Sequence, residues 1–126
     1  MGLGVSSVER EAARAEVLEL FHPVIARWFR RAFGRPTPAQ ALGWPPIARG
    51  HHTLILAPTG SGKTLAAFLF AIDELIRRPE GEPPLGVHAL YISPLKALGY
   101  DIERNLREPL SGIRELAASQ GEKPCR

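Results

Sequence analysis

Apolar residues along the chain fall into a short series of helical and extended patterns. Ser6 followed three residues later by Glu9 makes a capping-box pattern, and Val8, Ala12, Ala15 and Leu18 recur at helical spacing, which predicts a first helix running to about Leu20. Val24, Ile25, Trp28, Phe29 and Phe33 form one apolar stripe with Arg27, Arg30 and Arg31 opposite, so a second helix follows, with Gly34 at its C-cap. Thr37 as N-cap, Pro38 at the first helical position and Gln40 at N3 predict a third, which Pro45 and Pro46 are expected to interrupt and restart. After Gly50 comes Thr53-Leu54-Ile55-Leu56, an apolar run without polar alternation, expected to be a strand covered on both faces.

Leu65, Phe68, Leu69, Ile72, Leu75 and Ile76 then give helical spacing from Lys63 to Arg78. A loop over Pro79 to Pro84 leads to Val87–Ile92, a second predicted strand that completes a βαβ unit. Leu95, Leu98, Ile102 and Leu106 line up as a further helix, expected to stop at Pro109, with one more short helix over Gly112 to Ala118 and a polar tail. No internal repeat is present. The alternation of elements predicts an α/β fold, a parallel sheet flanked by helices and preceded by N-terminal helices.

Composition narrows the class. The 126 residues are 44% hydrophobic and 23% charged, enough to bury a core and incompatible with a disordered or collagen-like chain. The single cysteine, Cys125, has no disulfide partner and cannot build a cysteine zinc site, which suits a reducing compartment, and a cytoplasmic location is expected. Apolar stretches such as Leu65 to Ile72 are far shorter than the ~20 residues of a bilayer span, and no secretory signal is read at the N-terminus, so no membrane partner is expected. The net charge of +3 conceals a basic stretch: residues 21–56 hold Arg27, Arg30, Arg31, Arg35 and Arg49 and no acid. Such a cluster fits a nucleic-acid footprint, or simply a solvated helix face at Arg27, Arg30 and Arg31.

The chemistry concentrates at Ala57-Pro58-Thr59-Gly60-Ser61-Gly62-Lys63-Thr64, between a predicted strand and a predicted helix. Small residues here let successive backbone N–H groups turn toward phosphate oxygens, while Lys63 balances phosphate charge and Thr64 offers a hydroxyl to Mg²⁺. A lysine at a helix start opposes the macrodipole, a cost that a bound phosphate explains. This is a P-loop, with Ala57 where the strict pattern has glycine. Asp73-Glu74 is not its acidic partner, because the pair lies midway along the following helix and not at the end of a strand; a solvated helix face is expected there. His51 and His52 lack a third ligand for a metal.

Three stretches in order carry a family resemblance. Ala57 to Thr64 resembles motif I of superfamily-2 DEAD/DEAH-box helicases, Pro36-Thr37-Pro38-Ala39-Gln40 resembles their Q motif, and Ser93-Pro94-Leu95-Lys96-Ala97-Leu98 resembles motif Ia. Trp44-Pro45-Pro46-Ile47 and Tyr100 to Leu106 are similar to the large helicase-related (Lhr-type) members. The resemblance implies a P-loop NTPase with a partial RecA-like domain over residues 36–126, behind a helical segment over residues 1–35.

It also implies ATP and Mg²⁺ as cofactors. Lys63 and Thr64 would serve catalysis, Thr64 would hold Mg²⁺, and Thr59, Gly60, Ser61, Gly62, Lys63 and Thr64 would bind the nucleotide phosphates. Gln40 would read the adenine edge and Phe33 would stack on the base, although Gln40 also suits the capping box and Phe33 a helix core. Ser93 and Lys96 would touch the backbone of single-stranded or duplex nucleic acid.

Asp73 and Asp101 are the only aspartates, so no motif II is read, and the chain is expected to be the N-terminal part of a helicase that needs a second RecA-like domain to hydrolyse ATP. The remaining alternatives are another P-loop nucleotide-binding protein, such as a nucleotide kinase or transporter ATPase, and a non-catalytic remnant.

Overall fold

The computed structural model describes residues 13–14, 16–79, 86–92 and 96–121. Of the first predicted helix, the part from Ser6 to Ala12 and Ala15 lie outside this set, and its end tightens into a 3₁₀ turn, Val17–Leu20. Among the described residues four α-helices follow: α1 (Pro23–Phe33), α2 (Pro38–Ala48), α3 (Lys63–Ile76) and α4 (Lys96–Ser119).

Helix α1 starts and stops as its sequence directs. His22 caps it by accepting from the Val24 N–H at 3.3 Å, Pro23 occupies the first turn, and Gly34 ends it at φ 74° with its N–H on the Arg30 carbonyl. The apolar stripe is buried. Ile25 and Phe29 are almost wholly inaccessible, and the core continues through Leu18, Phe21, Trp44, Leu69, Ile72, Ile113 and Leu116. Trp44 is its aromatic centre, edge-on to Phe21 at 4.8 Å and to Phe29 at 5.6 Å between ring centroids. The opposite, basic face of α1 is only partly solvated: Arg31 is exposed, Arg30 pairs with Glu19, and half-buried Arg27 donates to Gln120 beyond the end of α4.

Prolines do not break the helices where the sequence predicts. Pro45 and Pro46 lie inside α2, which runs on until Arg49 donates to the Pro45 carbonyl and His51 to the Pro46 carbonyl. Each proline removes one N–H from the preceding turn, but burial of Trp44 and its indole bond to the Ala66 carbonyl, 3.0 Å away on α3, hold the segment helical. Pro109, expected to stop its helix, is likewise buried inside α4. The part of α4 beyond it, with Ile113, Leu116 and Ala117 in the core, continues unbroken in place of the separate short helix expected over Gly112 to Ala118.

The strands are the larger correction. Neither Thr53–Leu56 nor Val87–Ile92 forms a strand, and no strand occurs among the described residues. Both segments run without regular structure and largely in solvent: Leu54 and Leu56 are 83% and 84% exposed, and Ile92 is 82% exposed. Ile55 alone turns inward, onto α2 at Gly43, and Tyr91 lies against Phe68 of α3 at 5.0 Å. An apolar run becomes a strand only when neighbouring backbones take its N–H and C=O groups, and no such ladder forms among these residues.

Candidate nucleotide-binding site

Residues 57–64 form a tight turn that opens α3. Pro58 accepts from the Ser61 N–H at 3.3 Å and the Ser61 hydroxyl at 2.6 Å, which folds the turn back on itself. Gly60 and Gly62 stand at φ 78° and 77°, and Ser61 between them stays at negative φ. Alternation of this kind aims successive N–H groups into one concavity, a ready-made anion cradle. Gly62 is the N-cap of α3 and gives it no side-chain cap, so the first N–H groups of the helix remain available at the same point.

The turn is held from outside by the start of α2. There the capping box expected from the sequence is complete: the Gln40 N–H donates to Thr37 Oγ1 at 3.3 Å, and the Thr37 N–H donates to Gln40 Oε1 at 2.9 Å. The same two side chains reach across to the turn. Thr37 Oγ1 donates to the Ser61 carbonyl at 2.7 Å, and Gln40 Nε2 donates to the Gly62 carbonyl at 3.2 Å. Their link to the P-loop is invisible in the sequence, where 24 and 22 residues separate the partners.

Lys63 folds inward. Its ammonium donates to the Ala57 and Pro58 carbonyls of its own turn, the latter at 3.1 Å, so an arriving phosphate must draw it off these two oxygens. Thr59, Gly60 and Thr64 are exposed beside it, with Ser61, Gly62 and Lys63 half-buried. The donor set therefore fits a polyphosphate: a cradle of amides, one ammonium and an accessible hydroxyl on the first turn of a helix.

Other predicted site residues are not all gathered here. Phe33 is 56% exposed, and its ring contacts are with Trp28 and Phe29 of its own helix, at 5.6 and 5.1 Å. Ser93 and the side chain of Lys96 lie outside the described residues, although Lys96 is the first residue of α4. His51 and His52 are exposed, and no cluster of metal-ligating side chains occurs among the described residues. No described helix is long and apolar enough to cross a membrane.

Asp73 departs from expectation. It is 2% exposed, not solvated, and accepts from the His22 N–H at the start of α1 and from Arg77 Nε at 2.6 Å, while Glu74 beside it is exposed. Asp73 is thus a tie between α3 and α1 and stands apart from the phosphate cradle.

Comparison with known proteins bears on this arrangement. The family described as DEAD/DEAH box helicase matches residues 37–124. A protein of Mycolicibacterium smegmatis named Lhr helicase/probable uracil glycosylase is 55% identical over 85% of this chain and 7% of its own length. The ATP-dependent helicase Lhr-Core of Methanothermobacter thermautotrophicus is 49% identical over 93% of this chain and 14% of its own. Among solved structures, that of the Mycobacterium smegmatis helicase Lhr bound to ssDNA and AMP-PNP superposes with a TM-score of 0.80 at 51% identity, over 87% of this chain and 14% of that one.

Proposed function

Because the chain belongs to the DEAD/DEAH box helicase family, we propose that residues 57–64 bind the phosphates of ATP for an Lhr-type, ATP-dependent helicase. The relatives are ATP-dependent helicases and the likeness to Lhr implies a RecA-like P-loop fold. The observation that carries the proposal is the glycine cradle at the uncapped N-terminus of α3, with Lys63 on the same turn.

In this reading the amides of Gly60 and of residues 62–64 would face the β- and γ-phosphates while the Ser61 N–H stays on the Pro58 carbonyl, Lys63 would leave the Ala57 and Pro58 carbonyls for phosphate oxygens, and the Thr64 hydroxyl would ligate Mg²⁺. Bound Mg²⁺ would offset phosphate charge and fix the geometry of the triphosphate. Phe33 and the Q-motif segment mark the end of the site nearer the base. Residues 36–126 are assigned to a RecA-like domain, with residues 1–35 as a helical segment before it.

Ser93 and Lys96, the latter the first residue of α4, would then meet the backbone of a nucleic-acid strand, which a helix N-terminus and a lysine suit. Contacts of that kind carry no sequence information, as a motor moving along a strand requires. The chain spans 7% to 14% of the length of these relatives. ATP hydrolysis, strand translocation and work with a second RecA-like domain are accordingly proposed for the whole protein.

The test is calorimetric titration of the chain with Mg·ATP, beside Lys63→Ala. Binding by the parent chain and its loss in the variant, at unchanged helix content, are expected; equal affinity would remove the phosphate-binding role.

A further inference from the structure

We propose that Asp73 and Arg77 form a clasp that couples the start of α1 to the nucleotide site at the opposite end of α3: bound nucleotide holds the clasp shut, and an open clasp weakens nucleotide binding. The inference rests on the reading of residues 57–64 as a nucleotide site and assigns that site a positioning device some distance away.

Asp73 is the one buried ionisable group among the described residues, and phosphate binding has no use for it. Burying a carboxylate costs free energy that only specific partners return, and each of its oxygens has one. Oδ1 accepts from the His22 N–H at the N-cap of α1, and Oδ2 accepts from Arg77 Nε at 2.6 Å. A second nitrogen of the same guanidinium donates to the Leu20 carbonyl at 3.1 Å. Leu20 and His22 flank the junction between the 3₁₀ turn and α1, so the end of α3 grips main chain on both sides of that junction. Beside the clasp, Phe21 meets Phe70 of α3 edge-on at 6.0 Å.

The chain that leaves the clasp returns to the other end of α3. After α1 and Gly34 it reaches Thr37, whose hydroxyl donates to the Ser61 carbonyl at 2.7 Å. Residues 20–37 are thus a strap fastened at both ends of α3, whose 14 residues span about 20 Å. Each fastening raises the effective concentration of the other. Opening the clasp therefore lowers the fraction of molecules whose turn is held ready for phosphate, and the apparent affinity falls by that fraction. By reciprocity, a ligand on the turn must hold the clasp closed.

Native-state amide exchange in the ¹⁵N-labelled full chain, with and without saturating Mg·ATP, tests the coupling. The His22 amide reads the clasp, the amide shifts of residues 62–64 read binding, and the buried Ile113 and Leu116 amides on α4 read opening of the whole fold. Exchange at His22 is expected to slow about fivefold more than at Ile113 and Leu116. Shifts at residues 62–64 with His22 slowed no more than α4 would make Asp73 a structural tie alone and overturn the proposal. No shifts and no heat of binding would remove the nucleotide site itself.

Arg77→Met supplies the reciprocal measurement, since its half-exposed side chain can be replaced without opening a cavity. Faster exchange at His22, with affinities for Mg·ATP and Mg-tripolyphosphate both lowered by about threefold at unchanged helix content, is expected. Faster exchange at His22 with both affinities kept would show that the clasp opens without consequence for the site, and would refute the coupling.

Discussion

Gly62 has no room for a side chain because the Gln40 carboxamide occupies the space that a Cβ would take. The position is constrained twice, since its φ of 77° also lies in the left-handed region. One glycine thus meets two demands, a backbone turn and the approach of a side chain from another helix.

Gly62→Ala should therefore destabilise the chain by about 1–3 kcal/mol, from left-handed backbone strain and displacement of Gln40. Urea denaturation measures the first effect and Mg·ATP titration the second, in which affinity is expected to collapse. Gly60→Ala, where φ is 78° but nothing lies within 4 Å of the added Cβ, should cost only the backbone part.

Trp44 links the aromatic core to α3. Trp44→Phe keeps the ring in the core but removes the indole donor to the Ala66 carbonyl, at a cost of about 1 kcal/mol. Trp44→Ala should cost about 3–5 kcal/mol through the cavity it leaves. Denaturation midpoints at constant m-value would check the order; equal effects of the two variants would mean that the ring itself contributes little.

Asp73 and Glu74, adjacent in sequence, should behave oppositely. Asp73→Ala leaves the His22 N–H without its acceptor and removes a negative charge from the N-terminal end of α1, costing about 2 kcal/mol. The Arg77 ion pair adds little to this, because Arg77 is half exposed. Glu74→Ala, on the exposed face, should shift stability by no more than about 0.5 kcal/mol. Thermal unfolding of the two variants provides the comparison.

Trp28 and Gly112 bring α1 and α4 together so closely that a Cβ on Gly112 would strike the indole nitrogen. Gly112→Ala should cost about 1–3 kcal/mol by overpacking, despite the better helix propensity of alanine. A stabilised variant, read from its urea midpoint, would show that the contact yields easily.

The glycine turn that opens α3 was legible in the sequence because its determinants are local. Glycines at 60 and 62, Lys63, and Thr37 with Gln40 in a capping box each act within a turn or two of chain, where residue type and spacing suffice. Helix α1 was legible for the same reason: its apolar stripe and its C-terminal glycine lie within one element.

Three features depended on partners far along the chain. Pro45 and Pro46 read as breakers until Trp44 is seen bonded to Ala66, and Pro109 until the core beyond it is seen. Asp73 read as solvated until the N-terminus of α1 is brought against it. The runs at 53–56 and 87–92 read as buried strands from composition alone, yet a strand is completed by a neighbouring backbone and not by its own residues. Local hydrogen bonds and φ angles belong to the sequence; which carbonyl meets the Gln40 amide, which N–H meets Asp73, and whether an apolar run finds a ladder are decided only when distant segments pack, because the groups that satisfy them are supplied from elsewhere in the chain.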